Sequence, residues 1–214
     1  MAKRNSITFA LAALFVLGLA AGALAGIPDT NNSTAYADNC GRFTIAPCGG
    51  ETLIEGANDY TIHVTVLDIN GNPVTTLAAT DLYLYHDELA TCTPYSQADA
   101  GTDGAGQTQF TGTIYAGVSG DLAEGIVCDD LDLYVYAQGI ILNGANPVCV
   151  AVDSPDLNGD MAVTVADFGK FAADYNCVSA GVPCDSCHDY NEDGETSVAD
   201  FGIFASYYNA CTCP

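Results

Sequence analysis

The same twelve-residue pattern occurs twice near the C-terminal end of the chain, with its two copies 33 residues apart. The first copy runs from Asp156 to Asp167 and the second from Asp189 to Asp200, and Phe-Gly follows each. Oxygen-bearing side chains stand at the first, third, fifth and twelfth positions of both copies. This spacing bends a short loop around one hard cation, and calcium is the cation that fits it best.

The loop positions predict which atoms hold each ion. No His or Cys lies inside either loop, so zinc and copper are disfavoured, and magnesium fits a wrapped cage of many ligands poorly. The predicted ligands of the first loop are Asp156, Asn158, Asp160, the carbonyl oxygen of Ala162, Thr164 directly or through water, and Asp167 as the closing bidentate carboxylate. Those of the second loop are Asp189, Asn191, Asp193, the carbonyl oxygen of Glu195, Ser197 and Asp200.

An apolar pattern at helical spacing follows each loop, so we expect two loop-helix units whose apolar faces pack together. Pro155 and the Pro183 to Cys187 stretch interrupt the chain before the loops, so no helix is expected to precede them. The residues of the two patterns are Phe168, Phe171, Ala172 and Tyr175, and Phe201, Phe204, Ala205 and Tyr208.

A duplicated half of an EF-hand resembles the type I dockerin module, and the resemblance covers residues 153–211. Dockerin modules bind cohesin modules, so the resemblance implies a non-catalytic protein that joins a partner through its calcium-folded tail. The pattern departs from the family beside the last ligand, where Val165-Ala166 and Val198-Ala199 replace polar or basic residues. Apolar pairs at these positions favour a buried structural interface at least as much as a cohesin contact.

The sixth position of the first loop is Met161, whereas the second loop has Gly194 there. The sharp turn at this position requires a left-handed backbone, which costs a residue other than Gly about 1–2 kcal/mol. We therefore predict two calcium sites of unequal affinity, with the first weaker.

Residues 1–25 are typical of a secretory signal peptide. They contain a basic start, an apolar run from Phe9 to Leu19, and a small-residue cleavage site that ends at Ala25. A retained membrane anchor is the alternative, but the Gly and Ala content and the cleavage site favour removal. We therefore expect a secreted or cell-surface protein with no stable membrane insertion after cleavage.

The acidic balance of the chain excludes nucleic acid as a partner. The net charge is −23, and after cleavage two basic residues, Arg42 and Lys170, would face 27 acidic ones, a net charge of −25. No basic patch is left to neutralise phosphates. Such an excess of carboxylates suits a calcium-containing medium, in which bound cations reduce self-repulsion.

All ten cysteines follow the predicted signal peptide, and in an exported chain an even number indicates disulfides. Five precede the repeats and five lie within or after them, so full internal pairing requires at least one bridge between the two parts. A four-thiolate zinc site at Cys184, Cys187, Cys211 and Cys213 is the alternative.

Residues 40–152 show the alternation of half-buried strands instead of a helical period. Clear examples are Tyr60 to Val66, Leu82 to Tyr85 and Leu131 to Tyr136, and turn signals between them predict seven or eight strands. The stretch Val64 to Val74 with Asp103 to Phe110 resembles bacterial Ig-like surface domains. The predicted fold is mainly β with a small α module: an Ig-like β-sandwich fused to dockerin-like residues 153–214, with residues 26–39 as an N-terminal arm or leader.

We find no catalytic motif and predict that the protein is not an enzyme. His63, His86 and His188 are not paired with a nucleophile or with metal-ligand spacing. Four tyrosines form a separate candidate site, because they would make an aromatic strip if their strands are neighbours. Such a strip stacks on sugars, buries against another subunit or simply pairs across strands. These tyrosines are Tyr83, Tyr85, Tyr134 and Tyr136.

Together these features predict a secreted, non-catalytic, calcium-binding structural or adhesive protein that assembles with itself or with other extracellular proteins, including as a fibre subunit. A cohesin-binding scaffold component is the first alternative. A carbohydrate-binding module that uses the tyrosine strip is the second, with glycans as partners.

Overall fold

The computed structural model describes residues 26–49, 53–55, 58–87, 89–91, 96–118, 133–182 and 186–209. The predicted signal peptide lies outside these ranges. No helix within them is long and apolar enough to cross a membrane. The described chain is mainly β with a small helical part at its C-terminal end, which confirms the coarse fold prediction.

The strands are short and form several small sheets. The described strands form two antiparallel sheets of three strands and three two-stranded pairs, one of which is parallel. In chain order the strands are β1 (Thr34–Ala37), β2 (Gly41–Thr44), β3 (Ile54–Glu55), β4 (Asn58–Asp59), β5 (Ile62–Thr65), β6 (Leu82–Tyr85), β7 (Leu89–Thr91), β8 (Gln107–Phe110), β9 (Ala116–Val118), β10 (Tyr134–Ala137), β11 (Ile140–Ile141) and β12 (Val150–Asp153). The three-stranded sheets have the orders β1-β5-β8 and β11-β10-β6, and the pairs are β3-β4, β7-β9 and the parallel β2-β12.

The predicted alternation explains how the main strands pack. In β5 Ile62 and Val64 are buried while the residues between them are half-buried, and β6 repeats this pattern with Leu82 and Leu84. Successive side chains of a strand point to opposite faces, so one face of each strand enters a common core. Each large aliphatic side chain buried in this way contributes about 1.5–3 kcal/mol.

The structure differs from the sequence prediction at residues 26–39, which were expected to form an arm or leader. Thr34–Ala37 is instead the edge strand of a three-stranded sheet, paired with β5 along its whole length, and Ala35 is buried in the core. The backbone N–H of Asp29 also donates to the carbonyl oxygen of Leu67 at 2.8 Å. Two alanines and one tyrosine between turn-forming residues gave too weak an apolar pattern to predict this strand.

Both predicted helices are present, as α1 (Val165–Asp174) and α3 (Val198–Tyr207). Their packing is also confirmed, since the buried rings of Phe171 and Phe204 stack with centroids 5.3 Å apart. A short helix between them, α2 (Cys177–Ala180), was not predicted.

The helical part shares its core with the segment that follows β2. Ala46 is fully buried in a cluster with Phe171, Tyr190 and Phe204, and Cys48 packs against the same cluster. The parallel pairing of β12 with β2 extends to Asp153, three residues before the first loop begins. Shared apolar packing therefore joins the helical part to the β part within the described residues.

Disulfide bonds hold all five of the described cysteines. One bond links Cys40, just before β2, to Cys149, just before β12. The others, Cys48, Cys177 and Cys187, are also disulfide-bonded. Cys187 is therefore not a free thiolate, which argues against the four-cysteine zinc alternative. A bridge between the two parts of the chain stays a prediction.

Candidate metal centre

Each repeated loop brings three carboxylates to one point. Ligand-capable oxygens of Asp156, Asp160 and Asp167 lie within 4.8 Å of one another, and the same holds for Asp189, Asp193 and Asp200. These are the first, fifth and twelfth positions of the two predicted loops. The first and twelfth positions are buried and the fifth is exposed in both.

Backbone N–H groups within the first loop hold Asp156 in place. One carboxylate oxygen accepts from the N–H of Gly159 at 3.0 Å and from that of Asp160 at 3.2 Å, and the other accepts from Met161 at 3.0 Å. Three donors fix the carboxylate while the chain curls around it. Hydrogen bonds to the carboxylate of its first residue therefore hold the first loop in its bent conformation.

The second loop repeats this arrangement. Asp189 accepts from the N–H of Asp193 at 3.0 Å and from that of Gly194 at 2.7 Å. The third position of each loop donates its side-chain amide to the fifth, since Asn158 bonds Asp160 and Asn191 bonds Asp193, both at 3.0 Å. The two loops thus share most of these hydrogen bonds, although the N–H at the fourth position donates to the first carboxylate in the first loop and to the carbonyl oxygen of Asp189 in the second.

The last ligand position also begins the following helix. Asp167 accepts from the N–H of Thr164 at 2.7 Å, and the hydroxyl of Thr164 accepts from the N–H of Ala166 at 3.3 Å. This is a capping box, and Ser197 and Asp200 form the same box at α3. The first turn of each helix therefore fixes the position of the carboxylate at the twelfth position of its loop.

The two residues whose carbonyl oxygens are predicted ligands donate their backbone N–H groups to the carboxylate at the fifth position of the loop. Ala162 donates its backbone N–H to Asp160, and Glu195 donates to Asp193, both at 3.0 Å. The structure brings together the six predicted carboxylates, three in each loop, and the six other predicted ligands stay predictions.

Left-handed backbone occurs at two positions of each loop, the fourth and the sixth. In the first loop these are Gly159, with φ 70°, and Met161, with φ 67°. In the second they are Glu192, with φ 58°, and Gly194, with φ 88°. Each loop therefore has one residue other than Gly in the costly conformation. Backbone strain at Met161 therefore gives no reason for the first loop to bind calcium more weakly than the second. A weaker first site stays a prediction.

Asp156 makes cation binding at the first loop sensitive to pH. Its side chain is fully buried, and burial raises the pKa of its carboxyl to about 6; the negative charges of Asp167 and Asp160 add to the rise. A proton therefore competes with a cation for this carboxylate at mildly acidic pH. The same crowding of carboxylates is relieved when a divalent cation lies between them.

The two loops are tied to each other across the helical core. The N–H of Asn176, after α1, donates to the carbonyl oxygen of Thr196 at 2.8 Å. The N–H of Asn209, after α3, donates to the carbonyl oxygen of Val163 at 2.9 Å. Thr196 and Val163 occupy the eighth position of their loops and are fully buried. These reciprocal bonds give the pair of loops an approximate two-fold symmetry.

The β part contacts both loops. Gly117 of β9 lies directly against the first loop, where an added Cβ would overlap the carboxylate of Asp156 and come within 3.0 Å of the sulfur of Met161. Arg42 of β2 forms an ion pair with Glu192 of the second loop at 3.3 Å. Both loops therefore contact the β part of the chain.

We predict that Gly117→Ala weakens the first site selectively. The methyl group must displace the Asp156 carboxylate, so we expect at least about a tenfold loss of calcium affinity at one of two sites and a stability cost of about 1–3 kcal/mol. Gly112→Ala is the matched control, because an added Cβ there meets no atom within 4 Å. Calcium titration of both variants checks this, and equal behaviour of the two would contradict the packing of β9 on the loop.

Three features of the site were not predicted from the sequence. They are the left-handed fourth position, the contact of Gly117, and the amino group of Lys170, which donates to the carbonyl oxygen of Leu157 at 2.8 Å. Only the first had a sequence signal, since Gly159 stands at the fourth position of one loop. The other two are contacts between distant residues.

The donor set fits a hard divalent cation. Three carboxylates meet in each loop with no His or Cys among them, and oxygen ligands of this kind are those that calcium and magnesium prefer. In comparisons with protein-family models, curated proteins and solved structures, nothing matches this chain.

Proposed function

We propose that this chain is a secreted, non-catalytic, calcium-binding structural or adhesive protein that assembles with itself or with other extracellular proteins. In this proposal an Ig-like β-sandwich is fused to a dockerin-like pair of loop-helix units, each of which holds one calcium ion. The observation that carries the proposal is the repeated cluster of three carboxylates within 4.8 Å of one another.

Disulfide bonding supports an extracellular location. All five described cysteines are disulfide-bonded, and such bonds persist in oxidising compartments. Calcium is abundant outside cells, where acidic surface proteins use it for structural sites.

The outer face of the two helices supports assembly. Val165 and Val198 are 70% and 71% exposed, so the Val-Ala pairs are not buried against the β part, contrary to the buried-interface interpretation of the sequence. Phe168 and Phe201 are also exposed, and their ring centroids lie 6.0 Å apart. These four residues form what we call the helix patch. Contiguous exposed apolar surface of this kind marks a site of protein interaction.

Two glycines beside the helix patch agree with a partner at this face. Gly169 and Gly202 lie inside helices, where Gly costs about 1 kcal/mol relative to Ala. A Cβ added at either position would meet no atom within 4 Å, so packing inside the chain does not require Gly there. Close approach of another backbone would require it.

Introducing negative charge at the helix patch tests whether the patch mediates assembly. We expect Val165→Asp combined with Val198→Asp to reduce assembly at least tenfold while calcium binding and the melting temperature stay unchanged, since both side chains are exposed. Val182→Asp is the control, because Val182 is 53% exposed outside the patch. Sedimentation velocity and electron microscopy in calcium and in chelator provide the measurement.

The outcomes separate the main proposal from its alternative. Particles or fibres that form in calcium, dissolve in chelator and fail to form in the Asp variant support self-assembly. Monomers that are captured by a cohesin module through the same patch support the scaffold alternative. Monomers with intact calcium sites and no dependence of any interaction on the patch would contradict both.

A further inference from the structure

The four tyrosines of the predicted strip do lie together. Tyr134 pairs with Tyr85 and Tyr136 pairs with Tyr83 across β10 and β6, on the face opposite the buried Leu82. All four tyrosines are half-buried, so the strip is partly open to solvent.

The tyrosine rings lie in two orientations that are nearly perpendicular to each other. Tyr83 and Tyr136 stack with centroids 5.3 Å apart and planes 11° apart. Tyr85 meets Tyr136 edge-on, with centroids 5.5 Å apart and planes at 80°. Because the rings of Tyr83 and Tyr136 cover each other, the tyrosines do not form one broad flat surface for a sugar ring. They form a corner between nearly perpendicular rings.

Tyr85, Tyr134 and Tyr136, but not Tyr83, line a cavity of about 370 Å³. An acidic residue, Asp87, also lines it, and its side chain is exposed. Burial raises the pKa of the Tyr136 hydroxyl, and the negative charge of Asp87 raises it further. No Lys or Arg of the described chain lines the cavity. Among its described lining residues the cavity therefore combines aromatic rings with one carboxylate and no Lys or Arg. Its lining includes Tyr85, His86, Asp87, Tyr134, Tyr136 and Ala145.

Ala145, which lines the cavity, belongs to a turn in a strained conformation. Asn143, Gly144 and Ala145 have φ values of 57°, 65° and 59°, three consecutive left-handed residues of which two are not Gly. The N–H of Gly144 donates to the carbonyl oxygen of Thr30 at 2.6 Å, which fixes the turn against the first described segment. Such strain persists only where the surroundings impose it, and it concentrates at ligand clamps.

We propose that this cavity binds an organic cation, specifically an alkylammonium group such as the trimethylammonium head of choline. The negative faces of the tyrosine rings attract the cation, and its methyl groups contact the rings in the corner between Tyr85 and Tyr136. Asp87 neutralises its charge at the rim. The net charge of −23 raises the local concentration of cations around the whole molecule.

Calorimetric titration of the calcium-loaded full chain tests this with matched probes. Choline is compared with 3,3-dimethylbutan-1-ol, which has the same shape without the charge, and with cellobiose as a sugar. We expect choline to bind at least about tenfold more tightly than the neutral analogue, the ratio that a cation–π contribution of ordinary size produces. Phosphatidylcholine vesicles and a trimethyl-lysine peptide then identify the source of the group.

Two variants locate the site. Asp87→Asn, at an exposed position, should reduce choline affinity several-fold without changing the melting temperature, and Tyr85→Leu should abolish binding. Tyr36→Leu is the control, because Tyr36 is 58% exposed on another sheet. Equal binding of choline and its neutral analogue, an effect of Tyr36→Leu as large as that of Asp87→Asn, binding of cellobiose instead, or no binding at all would overturn the proposal.

Discussion

Chelation of calcium at pH 7 should lower the melting temperature of this protein by roughly 10–20 °C. A ligand present at 100 times its dissociation constant stabilises the folded state by about 2.7 kcal/mol per site, and two sites are proposed. For a chain of this size each kcal/mol corresponds to about 2–4 °C. Calorimetry in calcium and in chelator measures the difference.

The effect of chelation should depend on pH because of Asp156. Burial raises the pKa of this carboxyl to about 6 in the folded chain, above its ordinary value of 3.8. Without calcium, the folded state therefore binds more protons than the unfolded state between these values, and stability falls as pH rises through this window, by about 3 kcal/mol in all. With calcium, protons compete with the ion and stability rises over the same window. Chelator and calcium curves should therefore converge toward pH 5.

Asp156→Asn provides the control for this pH dependence. Its amide does not titrate, so the chelated variant should lack the part of the stability loss between pH 4 and pH 7 that Asp156 causes. Repulsion among the other carboxylates grows as pH rises in both proteins and cancels in the comparison. Parallel curves for the two proteins in chelator would show that Asp156 is not the group responsible.

Phe171→Ala should be the most damaging single substitution in the helical part, at about 3–5 kcal/mol. Phe171 is 1% exposed and stacks on Phe204 at 5.3 Å and on Tyr190 at 6.2 Å. Its helix also carries Asp167, and Tyr190 follows Asp189, so the cavity left by the ring loosens both loops. We expect calcium affinity to fall at both sites. Denaturant unfolding and calcium titration measure the two effects.

Phe168→Ala is the matched control on the same helix. The side chain is 39% exposed, so its truncation should cost about 1 kcal/mol or less and leave calcium binding nearly unchanged. Equal costs for the two variants would contradict a core centred on Phe171.

The local features of the candidate centre could be predicted from the sequence, because they depend on spacing alone. Ligand positions one, five and twelve converge in both loops, and the helices that follow start at the capping residues Thr164 and Ser197. A loop of fixed length around one point leaves little freedom for its ligands. The alternation in β5 and β6 was predictable for the same reason, since the period of two is a property of the strand itself.

Contacts between distant parts of the chain could not be predicted. Nothing in the local pattern indicates that Ala46 joins the helical core, that Gly117 meets Asp156 or that Arg42 reaches Glu192. The sequence did not predict that Val165 is exposed. An apolar residue at the start of a helix has the same sequence pattern whether it packs inside the chain or contacts a partner. Tertiary packing decided each of these cases.

Calorimetric titration of the chelated full chain with calcium at pH 7 tests the central claim most directly. We predict saturation at two ions per chain, with the weaker site lost in Asp167→Asn and the stronger in Asp200→Asn, while each variant keeps the other ion. No uptake of calcium at millimolar concentration, or a stoichiometry that neither substitution changes, would contradict the assignment of the two repeated loops as calcium sites.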